Sequence, residues 1–87
     1  MVKVSIPSPL RSYTSERREV EAHGATLGEV LHDLDRQYPG IRFRMVDEQE
    51  ALRPHIRIWI NLEPVRRLAI AVQDKDEIVI VQALSGG

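Results

Sequence analysis

Among the residue types able to do covalent chemistry, Gly86 and Gly87 stand out because they close this 87-residue sequence. Glycine makes up about 7% of an average chain, so a final Gly-Gly arises by chance in roughly one chain in 200. A frayed, inert end is therefore a reading of real weight, and the chemistry has to be set against it. Glycine has no Cβ, so this backbone can pass close to a nucleotide and to a nucleophile. Residues 84–87 extend at most about 13–14 Å, enough to thread a narrow channel in a partner. The reactive group is the carboxylate of Gly87. A carboxylate is a poor acyl donor, because its leaving group would be oxide. Attack of that carboxylate on the α-phosphate of ATP makes an acyl-adenylate. A sulfur nucleophile can then displace AMP and leave a thiocarboxylate.

The rest of the sequence offers little competition. His23, His32 and His55 are scattered and form no metal-ligand spacing such as HExxH. Each reads as a surface or satisfied histidine. Asp33, Asp35, Asp47, Glu48 and Glu50 fall on helix-exposed or loop positions, where a solvated face accounts for them. The serines include no GxSxG elbow, and the glycines before the terminal pair are isolated at positions 24, 28 and 40. With no cysteine, a disulfide, a thiolate metal site and a cysteine nucleophile are all excluded. The reading is a chain with no active site, cofactor or metal of its own, whose tail is worked on by others.

Composition narrows the partners. The chain is 43% hydrophobic and 29% charged, as a soluble globular protein is, and its formal net charge is −1. That balance favours neither a nucleic acid nor a membrane partner. No apolar run approaches the roughly 20 residues of a membrane span, and MVKVSIPSP has no secretory h-region. The expected location is the cytoplasm.

A single domain over residues 1–87, with a flexible tail at 83–87, has to position that end. Val2, Val4 and Ile6 alternate with polar residues as a half-buried strand stopped by Pro7 and Pro9. Residues 10–17 read as a polar loop, and Glu19–Ala22 as a second strand with Val20 inward. Thr26-Leu27-Gly28-Glu29 fits a capping box. Leu27, Val30, Leu31, Leu34 and Tyr38 then make one apolar helical stripe, stopped at Tyr38-Pro39-Gly40. Ile41, Phe43 and Val46 are expected to anchor a loop or short helical turn on the core. Ile56, Ile58 and Ile60 alternate with Arg57, Trp59 and Asn61 in a third strand. Turns are expected at Asn61–Pro64 and at Asp74-Lys75-Asp76, with a short strand starting at Val65. Ile78-Val79-Ile80-Val81 is β-branched on both faces, so it is central in the sheet or covered by a partner. The order describes an α+β fold, a β-grasp of ubiquitin type, with one main helix on one face of a mixed sheet. If Ile56, Ile58 and Ile60 face the helix, Trp59 and Arg57 face away. One of the pairs Ile78/Ile80 and Val79/Val81 must share that outer face. The partner surface expected here is Trp59, Arg57, Val79 and Val81, with Leu84 of the tail.

With these elements in order, the chain resembles the ThiS/MoaD family of ubiquitin-like sulfur carriers. The resemblance rests on the tail Ala83-Leu84-Ser85-Gly86-Gly87, the turn Asp74-Lys75-Asp76-Glu77-Ile78, and the segments Ile6–Arg11, Tyr38–Gly40 and Ile58–Asn61. Two turns depart from the family pattern: Leu62 follows Asn61 where the family has glycine, and Lys75 replaces a second glycine. The resemblance implies adenylation of Gly87 by an ubiquitin-activating-like adenylyltransferase/sulfurtransferase. It also implies an acceptor, either a pyridoxal-phosphate cysteine synthase or the large molybdopterin synthase subunit, or delivery to a thiamine-type pathway or a modified RNA base. The opening Ile6–Arg11 and Leu52-Arg53-Pro54 resemble the carriers that serve cysteine synthesis, or MoaD-like proteins without an assigned pathway. Two other readings stand beside this one. The same carboxylate could be joined to lysines, as in an ubiquitin-like modifier, or the domain could be an interaction module with an inert tail.

Overall fold

The computed structural model describes residues 1–83. Its strands are Val2–Ser5 (β1), Glu19–Ala22 (β2), Ile56–Ile60 (β3), Glu63–Val65 (β4) and Glu77–Gln82 (β5). They form one five-stranded sheet in the order β2-β1-β5-β3-β4. β1 runs parallel to β5, and the other neighbouring pairs are antiparallel. The β-branched last strand is therefore the central one, hydrogen-bonded along both edges. The expected α+β mixed sheet is what the chain adopts.

The helix Leu27–Gln37 (α1) crosses one face of this sheet and buries Leu27, Val30, Leu31 and Leu34. Beneath it lie Val2, Val4, Ile56, Ile58, Ile78 and Ile80, each at most 2% exposed. The periodicities meet as the pattern requires, a 3.6-residue stripe against period-2 strands. At the helix start, the Thr26 hydroxyl accepts the Glu29 N–H at 3.2 Å. The Glu29 carboxylate reaches back to the Ala25 N–H at 2.9 Å, one residue upstream of the box expected from the sequence. Two more orphan amides are met by a distant loop: Leu27 N–H donates to Ile70 O at 3.0 Å and Gly28 N–H to Leu68 O at 2.8 Å. At the other end, Asp35 Oδ1 accepts from the amides of Gly40 and Arg42 at 3.0 and 3.1 Å.

Two expectations are corrected. Ser8–Thr14 is a 3-10 helix, not a loop. It has no apolar period to announce it. It is held by tertiary contacts: Leu10 inserts into the core, and the buried Thr14 hydroxyl donates to Arg17 O at 2.9 Å. The second correction is Phe43. Ile41 and Val46 are buried as anchors, but Phe43 is 58% exposed and Met45 fills the third core position. Residues 42–44 form a 3-10 turn, and that geometry swings Phe43 outward while Met45 points in.

The β3–β4 turn carries a strain legible in its sequence. Asn61 and Leu62 both have positive φ, 51° and 73°. This is the left-handed pair that favours Asn-Gly. Asn61 suits the site, since its Nδ2–H donates to Asp76 Oδ1 at 2.8 Å and its Oδ1 accepts the Glu77 N–H at 2.9 Å. The Gln73 amide and the Asn61 side chain together hold the Asp76 carboxyl below its ordinary pKa. Leu62 has no such compensation and is 89% exposed. A left-handed residue with a Cβ costs roughly 1–2 kcal/mol, and the entropy of a freer unfolded glycine returns about 0.4–1 kcal/mol of that. Leu62→Gly is expected to stabilise the domain by up to about 1 kcal/mol, and thermal melts of the two proteins check this. An unchanged or lower Tm would mean that Leu62 makes a compensating contact.

Candidate functional site

The site is built around the end of β5. Ala83 N–H donates to His55 O at 2.8 Å, which extends the β3–β5 ladder one residue beyond the strand. The chain is thus held firmly as far as Ala83. Gly86, Gly87 and Leu84 lie outside the described residues.

Successive strand residues point to opposite faces, and at this root the two faces differ in character. On the outer face, away from α1, one cross-strand row runs over the whole sheet. Glu19 pairs with Ser5, Ser5 with Val79, Val79 with Trp59, and Trp59 with Pro64. The next row holds Val81 opposite Arg57. The apolar members, Val79, Trp59, Pro64 and Val81, all lie on β5, β3 and β4, whereas Lys3, Ser5, Glu19 and Glu21 make the β1–β2 half polar. Trp59 and Val79 are half-buried, and Val81 is 39% exposed. Beside Trp59 is a shallow depression of about 130 Å³ between Arg57, Pro64 and Arg66. The Arg66 guanidinium closes its rim by donating to the carbonyls of Ile56 and Leu52 at 3.0 and 3.1 Å. The structure therefore gathers Trp59, Arg57, Val79 and Val81 on one face. Of the two pairs left open by the β5 sequence, Val79/Val81 is the outer one.

The other side of the root is a groove of about 510 Å³. Its wall includes Gln82, the residue after Val81, and His55. The two 3-10 segments supply Tyr13, Phe43 and Arg44, and the chain before β3 supplies Arg53. Reading the sequence alone missed this feature, because its residues come from four separated segments with no shared period. The Phe43-Arg44 step, an aromatic next to a cation, is the one local sign of it.

Among the described residues there is no group of three or more His, Asp and Glu that could hold a metal ion. The carboxyls with lowered pKa do structural duty. Asp33 is held down first by the His23 N–H and then by Arg36 and Gln37, and Asp76 by the turn described above. No helix among these residues is long and apolar enough to cross a membrane.

The described residues form a small domain in which Ala83, at the end of the β3–β5 ladder, lies between two contrasting surfaces. A family model described as the ThiS family matches residues 4–87. The chain belongs to the ThiS family. It is 41% identical to the sulfur carrier protein CysO of Mycobacterium tuberculosis, over 99% of this chain and 98% of that one. Its fold matches a chain of the Amycolatopsis orientalis BexX/CysO complex with a TM-score of 0.92 and 39% identity, covering 100% of both. The small archaeal modifier protein 1 of Methanosarcina acetivorans is more distant, with a TM-score of 0.81, 30% identity and coverage of 99% and 95%. The β-grasp architecture and the ubiquitin-like relationship follow from these likenesses. A member of this family is a sulfur carrier, on which partner enzymes act and which is not itself the catalyst.

Proposed function

We propose that the chain carries sulfur on the carbonyl carbon of Gly87 and delivers it to cysteine synthesis. The observation that carries the reading is the whole-length likeness to CysO of a chain that ends in Gly86-Gly87. The steps follow from the chemistry of a carboxylate. An oxygen of Gly87 attacks the α-phosphate of ATP and pyrophosphate leaves. A hydrosulfide equivalent supplied by the activating enzyme adds to the acyl carbon, AMP leaves, and the thiocarboxylate remains. The chain has no cysteine, so sulfur cannot ride on it as a persulfide, and Gly87 is the carrier group. Gly86 has no side chain to obstruct the activating enzyme's channel.

Two partners have to recognise one small domain, an adenylating enzyme and an acceptor. We assign the shared contact to the outer face, with Trp59 as anchor, Val79 and Val81 beside it in the sheet and Arg57 on the rim, and we assign Leu84, outside the described residues, to the same contact. An aromatic with an arginine neighbour on a flat, half-exposed face has the composition of an interface centre. The reading is supported by the Val81–Arg57 row of this face, which lies next to the Ala83–His55 hydrogen bond.

The test concerns what the sulfur does next. In the cysteine route, the thiocarboxylate sulfur adds to the electron-poor β-carbon of a dehydrated serine held by the acceptor, a pyridoxal-phosphate cysteine synthase. An S-to-N acyl shift then leaves cysteine joined to Gly87 by an amide, which a peptidase frees. The expected result of mixing the thiocarboxylate form with such a synthase and an activated serine is one added cysteine residue at Gly87, read by intact mass. If there is no adduct, and the large molybdopterin synthase subunit returns the plain carboxylate instead, the destination is a pterin and the cysteine assignment falls. The likeness to an archaeal modifier protein favours a second reading, in which the activated Gly87 is joined to lysine amines. Gly87–lysine isopeptides in digests of the native cell, without any thiocarboxylate form, would establish it over the first.

A further inference from the structure

The groove on the far side of the tail root is left unused by the reaction above. Its two arginines are positioned in the same way. Arg44 donates Nε–H to the Tyr13 hydroxyl at 2.7 Å. Arg53 donates Nε–H to Phe43 O at 2.8 Å, with its guanidinium carbon 4.7 Å from the centroid of the Phe43 ring. Each is thus fixed through Nε alone. The terminal nitrogens of both have no hydrogen-bond or salt-bridge partner among the described residues. A guanidinium held by Nε and open at its fork has the planar donor pair that matches a carboxylate. Arg42, by contrast, spends its fork on Glu50 at 2.8 Å. The groove wall also holds His55 and no Asp or Glu, in a chain whose net charge is −1 and whose carboxylates number 13. Phe43, 58% exposed beside these cations, adds an apolar contact.

We propose that this groove is a second docking site, which receives an acidic loop of the enzyme that works on the terminal glycine. The inference rests on the carrier reading for the identity of that enzyme. Four residues separate Ala83 from the end, a reach of about 13–14 Å. An enzyme holding Gly87 in its active site therefore stands against the tail root, and Gln82 and His55 of the groove form that root. The outer face supplies apolar anchoring. The groove supplies the charged contact, which sets orientation and association rate more than raw affinity.

The first experiment needs no cognate enzyme. A deca-glutamate peptide is titrated into the ¹⁵N-labelled full chain at low salt. The expected amide shifts centre on Tyr13, Phe43, Arg44, His55 and Gln82, and they are lost in Arg44→Glu. Arg44 is exposed and its substitution leaves the core intact, so a matching melt excludes unfolding. Absent shifts, shifts centred on other arginines, or stronger shifts from pyrophosphate or a short RNA would each overturn the proposal. The second experiment uses ATP–pyrophosphate exchange by the activating enzyme. Arg44→Glu is expected to raise the KM for the carrier about tenfold at low salt with kcat unchanged. The difference should shrink as salt screens the contact, and Arg44→Lys should restore part of it. An unchanged KM for Arg44→Glu, beside lost exchange in a chain lacking Gly87, would sink the groove and keep the carrier reading. Normal exchange in the chain lacking Gly87 would sink the carrier reading while the peptide titration still decides the groove.

Discussion

Removing Gly87 is expected to abolish ATP–pyrophosphate exchange by the activating enzyme while leaving the melting curve where it was. The structural reason is the separation between the two. Among the described residues every core residue lies before Ala83, and the hydrogen bond of Ala83 N–H to His55 O is the last one of the sheet. The truncation leaves all of these core residues and sheet hydrogen bonds in place. It withdraws the acyl carbon from the α-phosphate by one residue, about 3.3–3.6 Å. A misplacement of about 1 Å in a bound reactant already costs on the order of a hundredfold in rate, so a full residue leaves no measurable turnover. Gly86→Trp tests the channel separately, because it keeps the carboxylate and its reach but adds a side chain where the backbone must pass. A loss of at least about a hundredfold in kcat is expected there too. Normal exchange from either variant would mean that activation occurs elsewhere on the chain.

The second large effect is a contrast between adjacent residues. Ile58 and Trp59 are neighbours on β3, and the pleat sends them to opposite faces. Ile58 is 1% exposed beneath α1, in the same row as Ile80 of the central strand. Ile58→Ala removes buried methyl groups where neighbours on both sides prevent collapse, and should cost about 2–5 kcal/mol. A domain of this length has about 4–13 kcal/mol in all, so the variant should melt at least about 10 °C lower. Trp59→Ala takes a half-buried ring from the outer face, where Val79 and Pro64 are its cross-strand neighbours. Its expected cost in stability is about 1 kcal/mol or less, and in partner affinity more than about 1 kcal/mol. Melts and titration against the activating enzyme separate the two. A Trp59→Ala protein that unfolds as readily as Ile58→Ala, with the folded fraction binding normally, would place Trp59 in the core and remove it from the interface.

Most of the fold was legible because local periodicity and tertiary demand coincide. The helix from Thr26 to Tyr38 announces its cap, its stripe and its stop, and all three meet partners in the structure. The alternation of Ile56, Ile58 and Ile60 identified both the strand and its buried face. The doubly β-branched run at 78–81 pointed to a central position, which β5 occupies. Where no period existed, the reading failed. Ser8–Thr14 folds as a 3-10 helix because Leu10 and Thr14 find a place in the core, and neighbouring residues contain no sign of that. Hydrophobicity alone points Phe43 inward. The turn geometry of residues 42–44 instead leaves it exposed against Arg53.

By itself the sequence singled out the tail as the place to propose chemistry. Absent cysteine, scattered histidines and a terminal Gly-Gly are properties of composition and order, which folding does not alter. It also determined which residues of β3 share a face, because a strand has a period of two. Tertiary structure alone decided what surrounds the root of that tail. Register between strands distant in the chain set Val79 against Trp59 and Val81 against Arg57. Docking of the two 3-10 segments brought Tyr13 to Arg44, 31 residues apart. Such contacts depend on the packing of separate elements against a common core, and no local pattern encodes them.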